Sequence, residues 1–132
     1  MIGRFVFGMA VTLAPALLAI GTARAEPVNL EGSWSGGGMV NLSSGASEKA
    51  RCRAHFTRQS ANSFGMNAIC ATPSARVAQT ATLSRVGANR FAGSFYNSEY
   101  NVSGTINLTV NANRLSASLS GAGSSAQLSL GR

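Results

Sequence analysis

From Tyr100 to Val110 the chain alternates without a break. Tyr100, Val102, Gly104, Ile106, Leu108 and Val110 are separated by Asn101, Ser103, Thr105, Asn107 and Thr109. A period of two over such a length puts every apolar side chain on one face and every polar one on the other, as in a strand with one buried side. A turn at Asn111-Ala112-Asn113 follows, and Leu115, Ala117, Leu119 and Gly121 continue the pattern. Setting Val110 against Leu115 brings Leu108 to Ala117 and Ile106 to Leu119, so each inward residue meets another. A slip by one residue would turn them all outward, which pins the facing of this hairpin. Beyond a loop at 122–125, Ala126, Leu128 and Leu130 pair back onto Gly121, Leu119 and Ala117.

The same alternation runs upstream. Leu30, Gly32, Trp34, Gly36, Gly38, Val40 and Leu42 share a face, and the SSGAS stretch at 43–47 makes a turn. Glu48, Ala50, Cys52, Ala54 and Phe56 return on the same face, with Trp34 expected opposite Phe56 and Gly38 opposite Cys52. Past a loop at 59–63 come Phe64, Met66, Ala68 and Cys70, and this register sets Cys52 across from Cys70. A disulfide between them would close a loop of ~17 residues, worth roughly 3 kcal/mol in the chain-entropy account. A fourth strand carries Ala75, Val77, Gln79, Ala81 and Leu83. A turn at 86–89 leads to a fifth with Phe91, Gly93 and Phe95.

Eight consecutive antiparallel strands with short turns predict an all-β, up-and-down barrel, since closure removes exposed edges. A two-sheet β-sandwich is the alternative. Ala and Gly occupy many inward positions, so the interior is either narrow and packed or holds a slim cavity. An outer-membrane barrel also alternates, but its lipid face would here carry the disulfide and several glycines, with too few aromatics for two girdles.

Residues 1–25 read as a secretory signal: Arg4 near the start, an apolar run at 5–21, and small residues at Ala23 and Ala25 before a cleavage site. The mature domain, 26–132, is then expected in the bacterial periplasm or outside the cell, where two cysteines form one disulfide. No transmembrane span is expected after cleavage. Nine Lys/Arg against four Glu leave residues 26–132 near +5, and Asp is absent.

Catalytic chemistry has few atoms to work with. The chain holds a single histidine and four glutamates, and no metalloprotease, nucleophile-elbow, redox-cysteine or phosphate-loop motif. One histidine and two bridged cysteines cannot complete a zinc site. The sequence therefore predicts a binding protein with no catalytic residue, metal or cofactor.

Three places could bind. The stretch EKARCRAHFTR at 48–58 puts Lys49, Arg51, Arg53 and His55 on one outward face, with Arg58 at the hairpin end. Same-face neighbours lie roughly 7 Å apart, which suits anionic polysaccharide or lipid headgroups. Nucleic acid is disfavoured, because no aromatics interleave with the bases. A narrow calyx for a small apolar ligand, closed by Trp34, Phe56 and Phe95, is a further expectation.

The Gly32-Ser33-Trp34 triplet opening the first of eight strands resembles the G-x-W of the calycin group. That group includes small bacterial metalloprotease inhibitors, periplasmic barrels with one disulfide placed early in the chain. The resemblance implies a calycin-like barrel. It also implies an alternative function, in which Glu26, Pro27, Val28, Asn29 and Leu30 form an N-terminal segment that enters a protease cleft. Over nearly the whole mature chain, GSWSGGG, ARCRAHF and QTATLSRVGANRFAGSFYN also resemble small uncharacterised exported proteins of soil alphaproteobacteria, which implies a bacterial envelope setting.

Overall fold

The computed structural model describes residues 28–132; the leader, with Glu26 and Pro27, lies outside the described residues. Eight strands follow one another: β1 (Gly32–Asn41), β2 (Ser47–Ser60), β3 (Ser63–Ala71), β4 (Arg76–Gly87), β5 (Arg90–Asn97), β6 (Val102–Asn111), β7 (Arg114–Gly121) and β8 (Ser124–Gly131). Each pairs antiparallel with the next, and β1 also pairs with β8 from Ser35↔Gly131 to Asn41↔Ser125. The sheet is thus a closed up-and-down barrel, and the sandwich alternative falls.

Apolar side chains line the inside, and Lys49, Arg51 and Arg53 stand on the outside. This is the reverse of a lipid-facing barrel. Val110↔Leu115, Leu108↔Ala117 and Ile106↔Leu119 pair as the alternation requires, and Cys52↔Cys70 pair in β2–β3 and are bonded.

Two expected registers are corrected, each by two residues. Trp34 lies opposite Ala54, not Phe56, and Cys52 faces Gly36 rather than Gly38. Leu119, Ala117 and Leu115 pair with Ala126, Leu128 and Leu130. A shift of two preserves the facing of every side chain, so apolar alternation cannot detect it; the turn decides. β7 and β8 are joined by Ala122-Gly123 alone, with φ of 52° and 79°, the left-handed pair that a tight hairpin favours.

Why β1 can sit so close to β8 follows from two of its glycines. A Cβ on Gly36 would run into Ser129 O, and one on Gly38 into Gln127 O. The Gly36–Gly38 run is therefore a close backbone approach at the closing seam, not room made for the disulfide.

One end of the barrel is filled. Trp34, Phe56, Phe64, Leu83, Phe91, Val110 and Leu115 are almost wholly buried there, with Phe64 and Phe91 edge to face at 5.5 Å. Residues 28–31 cross this end as a strap. Leu30 is fully buried, and its carbonyl accepts a 3.0 Å hydrogen bond from Trp34 Nε1. Arg132 lies over the indole at 4.2 Å and donates to Asn29 O and Glu31 O. Arg85 covers Phe91 and donates to Val28 O at 2.8 Å. Cation–π contact and hydrogen bonding thus fasten the strap together.

A candidate ligand-binding cavity

The opposite end is open because the inward rows taper. Along β2 the inward residues run Phe56, Ala54, Cys52, Ala50, Glu48; along β3, Phe64, Met66, Ala68, Cys70; along β8, Leu130, Leu128, Ala126, Ser124. Large side chains meet at the strapped end, and small ones leave space at the other. The result is a cavity of about 480 Å³, within the usual range for small-molecule sites.

Phe56, Leu108, Leu115 and Leu130 form its floor. Ala54, Ala68, Phe95, Ile106, Leu119 and the Cys52–Cys70 bridge form the waist. Leu42, Ser74, Tyr100 and Ala122, from the four turns at this end, stand at the mouth. Phe56 and Phe95 therefore line the calyx as expected. Trp34 does not reach it and belongs to the packed end beneath.

Three polar side chains matter here. Asn97 is the one buried polar residue among those described. Its Oδ1 accepts from the N–H groups of Glu99 and Tyr100 at 3.0 and 3.3 Å, an Asx turn that shapes the rim loop at 98–101. Tyr96 OH donates to Asn101 Oδ1 across the same loop. Tyr100, expected on the inward face of a strand, is instead an exposed rim residue, because β6 begins only at Val102.

Glu48 lines the mouth from β2. Its carboxylate accepts from the Ser74 hydroxyl at 2.8 and 2.9 Å. That bond, then one from Thr72, holds its pKa below the usual carboxylate range, so Glu48 is ionised at neutral pH. Gln79, on β4, lines the waist, and its Oε1 is buried without a hydrogen-bond partner among the described residues. Sequence reasoning singles out neither residue as a site. The available signal is a polar residue at an inward position of an otherwise apolar row.

The basic row lies on the outer wall. Lys49, Arg51, Arg53 and His55 are exposed on β2. Arg76 joins them across β3, since Arg51 pairs with Ala71 and Ala71 with Arg76. His55 Nδ1 is hydrogen-bonded to Ser33 Oγ at 2.9 Å. Arg58 stands apart: it follows Phe56 in the inward parity, lies over the Phe64 ring at 5.2 Å, and donates to Ala61 O and Asn29 Oδ1 at the strapped end. Of the N-terminal segment, Val28, Asn29 and Leu30 belong to the strap. Among the described residues no three His, Cys, Asp or Glu gather as a metal site.

No protein-family model and no curated protein matches this chain. Solved barrels do. The redesigned β-barrel mFAP1, bound to DFHBI, superposes with a TM-score of 0.67 at 13% identity, over 78% of this chain and 94% of that one. The related mFAP0, also bound to DFHBI, gives 0.67 at 13% over 78% and 98%. A fluorescence-activating β-barrel designed de novo gives 0.61 at 10% over 78% and 93%. At such identities the likeness is one of fold.

Proposed function

We propose that the protein is a binding module that holds a small, largely apolar molecule inside the barrel. The observation that carries this reading is the 480 Å³ cavity, open at one end and walled mainly by aliphatic and aromatic side chains. A barrel filled for stability alone would have no reason to taper, since empty apolar volume forfeits packing. Two barrels of this architecture are solved with DFHBI bound, which supports the idea that such a calyx suits a compact ligand. With the leader, the site of action is the periplasm or the cell exterior. Titration with Nile red tests the reading: fluorescence should rise with the native chain and vanish with Ala68→Phe, which fills the waist. Equal enhancement in that variant would overturn it.

A second reading rests on the outer wall. Lys49, Arg51, Arg53 and Arg76 form no hydrogen bond or ion pair with a carboxylate among the described residues. Glu48 is engaged by Ser74, and Glu31 accepts from the Arg58 backbone. Such a face attracts anionic polysaccharide or lipid headgroups in a salt-dependent way. Salt-sensitive binding lost in Arg51→Glu/Arg53→Glu supports it, and an equal loss on reversing Arg90 and Arg114 refutes it. Inhibition of a protease through residues 26–30 would require the strap to leave the buried position of Leu30. Inhibition unchanged after deleting 26–30 would refute that alternative.

A further inference from the structure

The cavity is not electrically neutral. Among the described residues that line it there is no Lys, Arg or His, and Glu48 is the one carboxylate. Ser74 holds that carboxylate at the mouth, and the same bonds keep it ionised. The nearest bases in sequence, Lys49 and Arg51, alternate to the outside of the wall. A ligand sliding into the calyx thus leaves its outer end beside a fixed negative charge, although residues 26–132 together are strongly basic, nine Lys/Arg against four Glu. At the mouth the close charge prevails over the distant ones, which solvent and salt screen.

Lower down, Gln79 has a buried amide oxygen with no hydrogen-bond partner among the described residues. An unpaired buried acceptor is a penalty that the empty protein carries and that a ligand N–H or O–H relieves. The terminal torsion of a glutamine is soft, so the amide can turn toward a molecule in the waist. Asn97 offers no comparable acceptor, because its Oδ1 already receives two backbone N–H groups.

Resting on the calyx reading, we propose that the ligand is an apolar molecule with a cationic head, an amine that ends beside Glu48, and that carboxylate-headed amphiphiles are rejected. Matched probes of one chain length isolate the head. Dodecylamine, dodecanol and dodecanoic acid, each below its micelle concentration, compete with Nile red for the full mature chain. The amine should displace the dye at roughly fivefold lower concentration than the alcohol, the size expected of one partly exposed ion pair, with the acid weakest of the three. Glu48→Gln should bring the amine and the alcohol within about twofold of each other. Glu48→Asp, which keeps the charge, should retain the amine preference. An unchanged order in Glu48→Gln, or an acid that matches the amine, overturns the head-group assignment while the calyx stands. Failure of Nile red and all three probes to bind overturns the calyx itself.

Discussion

The two ends of the barrel are made from the same eight strands and treat their interiors in opposite ways. At the strapped end, Trp34, Phe64, Phe91 and Leu30 fill the bore, and Arg58, Arg85 and Arg132 lie across the rings. At the other, Val40, Val77, Val102 and Ala126 are only half-buried around open space. Stability is concentrated in one half so that the other can stay empty. The difference costs no change of backbone topology; it is written in the sizes of alternate residues.

Substitutions at the two ends test this division. Trp34→Ala should lose about 3–5 kcal/mol by removing a buried aromatic and leaving a void, whereas Val77→Ala on the open wall should lose less than about 1 kcal/mol. Urea unfolding of the pair measures the contrast, and equal losses would mean that the calyx wall carries as much of the fold as its floor. Arg132→Ala removes the cover of the indole and two hydrogen bonds to the strap. A loss of about 1–2 kcal/mol is expected, and a negligible one would detach the strap from the packed end.

At the open end the expected signs reverse. Gln79→Met removes a buried acceptor that has no partner at nearly constant volume, so it should stabilise the empty barrel by about 1 kcal/mol. Destabilisation would show that the amide is satisfied in solution. The smallest effect belongs to Glu48. Its folded pKa is lowered, chiefly by Ser74, so its contribution to stability is complete above the ordinary carboxylate pKa and fades as pH falls through the lowered value. The melting temperature of the native chain should therefore drop more steeply on acidification than that of Glu48→Gln. Parallel curves would remove the Glu48–Ser74 bond from the account.

Facing was legible in the sequence nearly everywhere, since apolar alternation encodes it directly. Register was legible only where a second constraint acted, as at Cys52–Cys70 or at the two-residue link before Arg114. Between β1 and β2, and between β7 and β8, alternation allowed a shift of two, and turn geometry settled it. Tyr100 misled because its parity matches β6 while Asn97 has already bent the chain into a polar turn. Arg58 has the inward parity of Phe56, but at a strand end a long side chain can double back over a ring. A calyx was legible in the many inward Ala and Gly residues, but which end is open follows only from the taper along β2, β3 and β8. Alternation alone discards side-chain size, and size is what separates a plugged barrel from a hollow one.

The seam between β1 and β8 has a consequence in time as well as in space. Seven of the eight strand pairings join neighbours along the chain; the eighth brings Ser35 to Gly131 and Asn41 to Ser125. Loop-closure entropy makes that pairing the slow one to form. A chain in which it has not formed has two bare edges, each able to capture the complementary edge of another copy. Gly36 and Gly38, which let the two backbones meet flush, are thus also the residues on which the sealing of those edges depends.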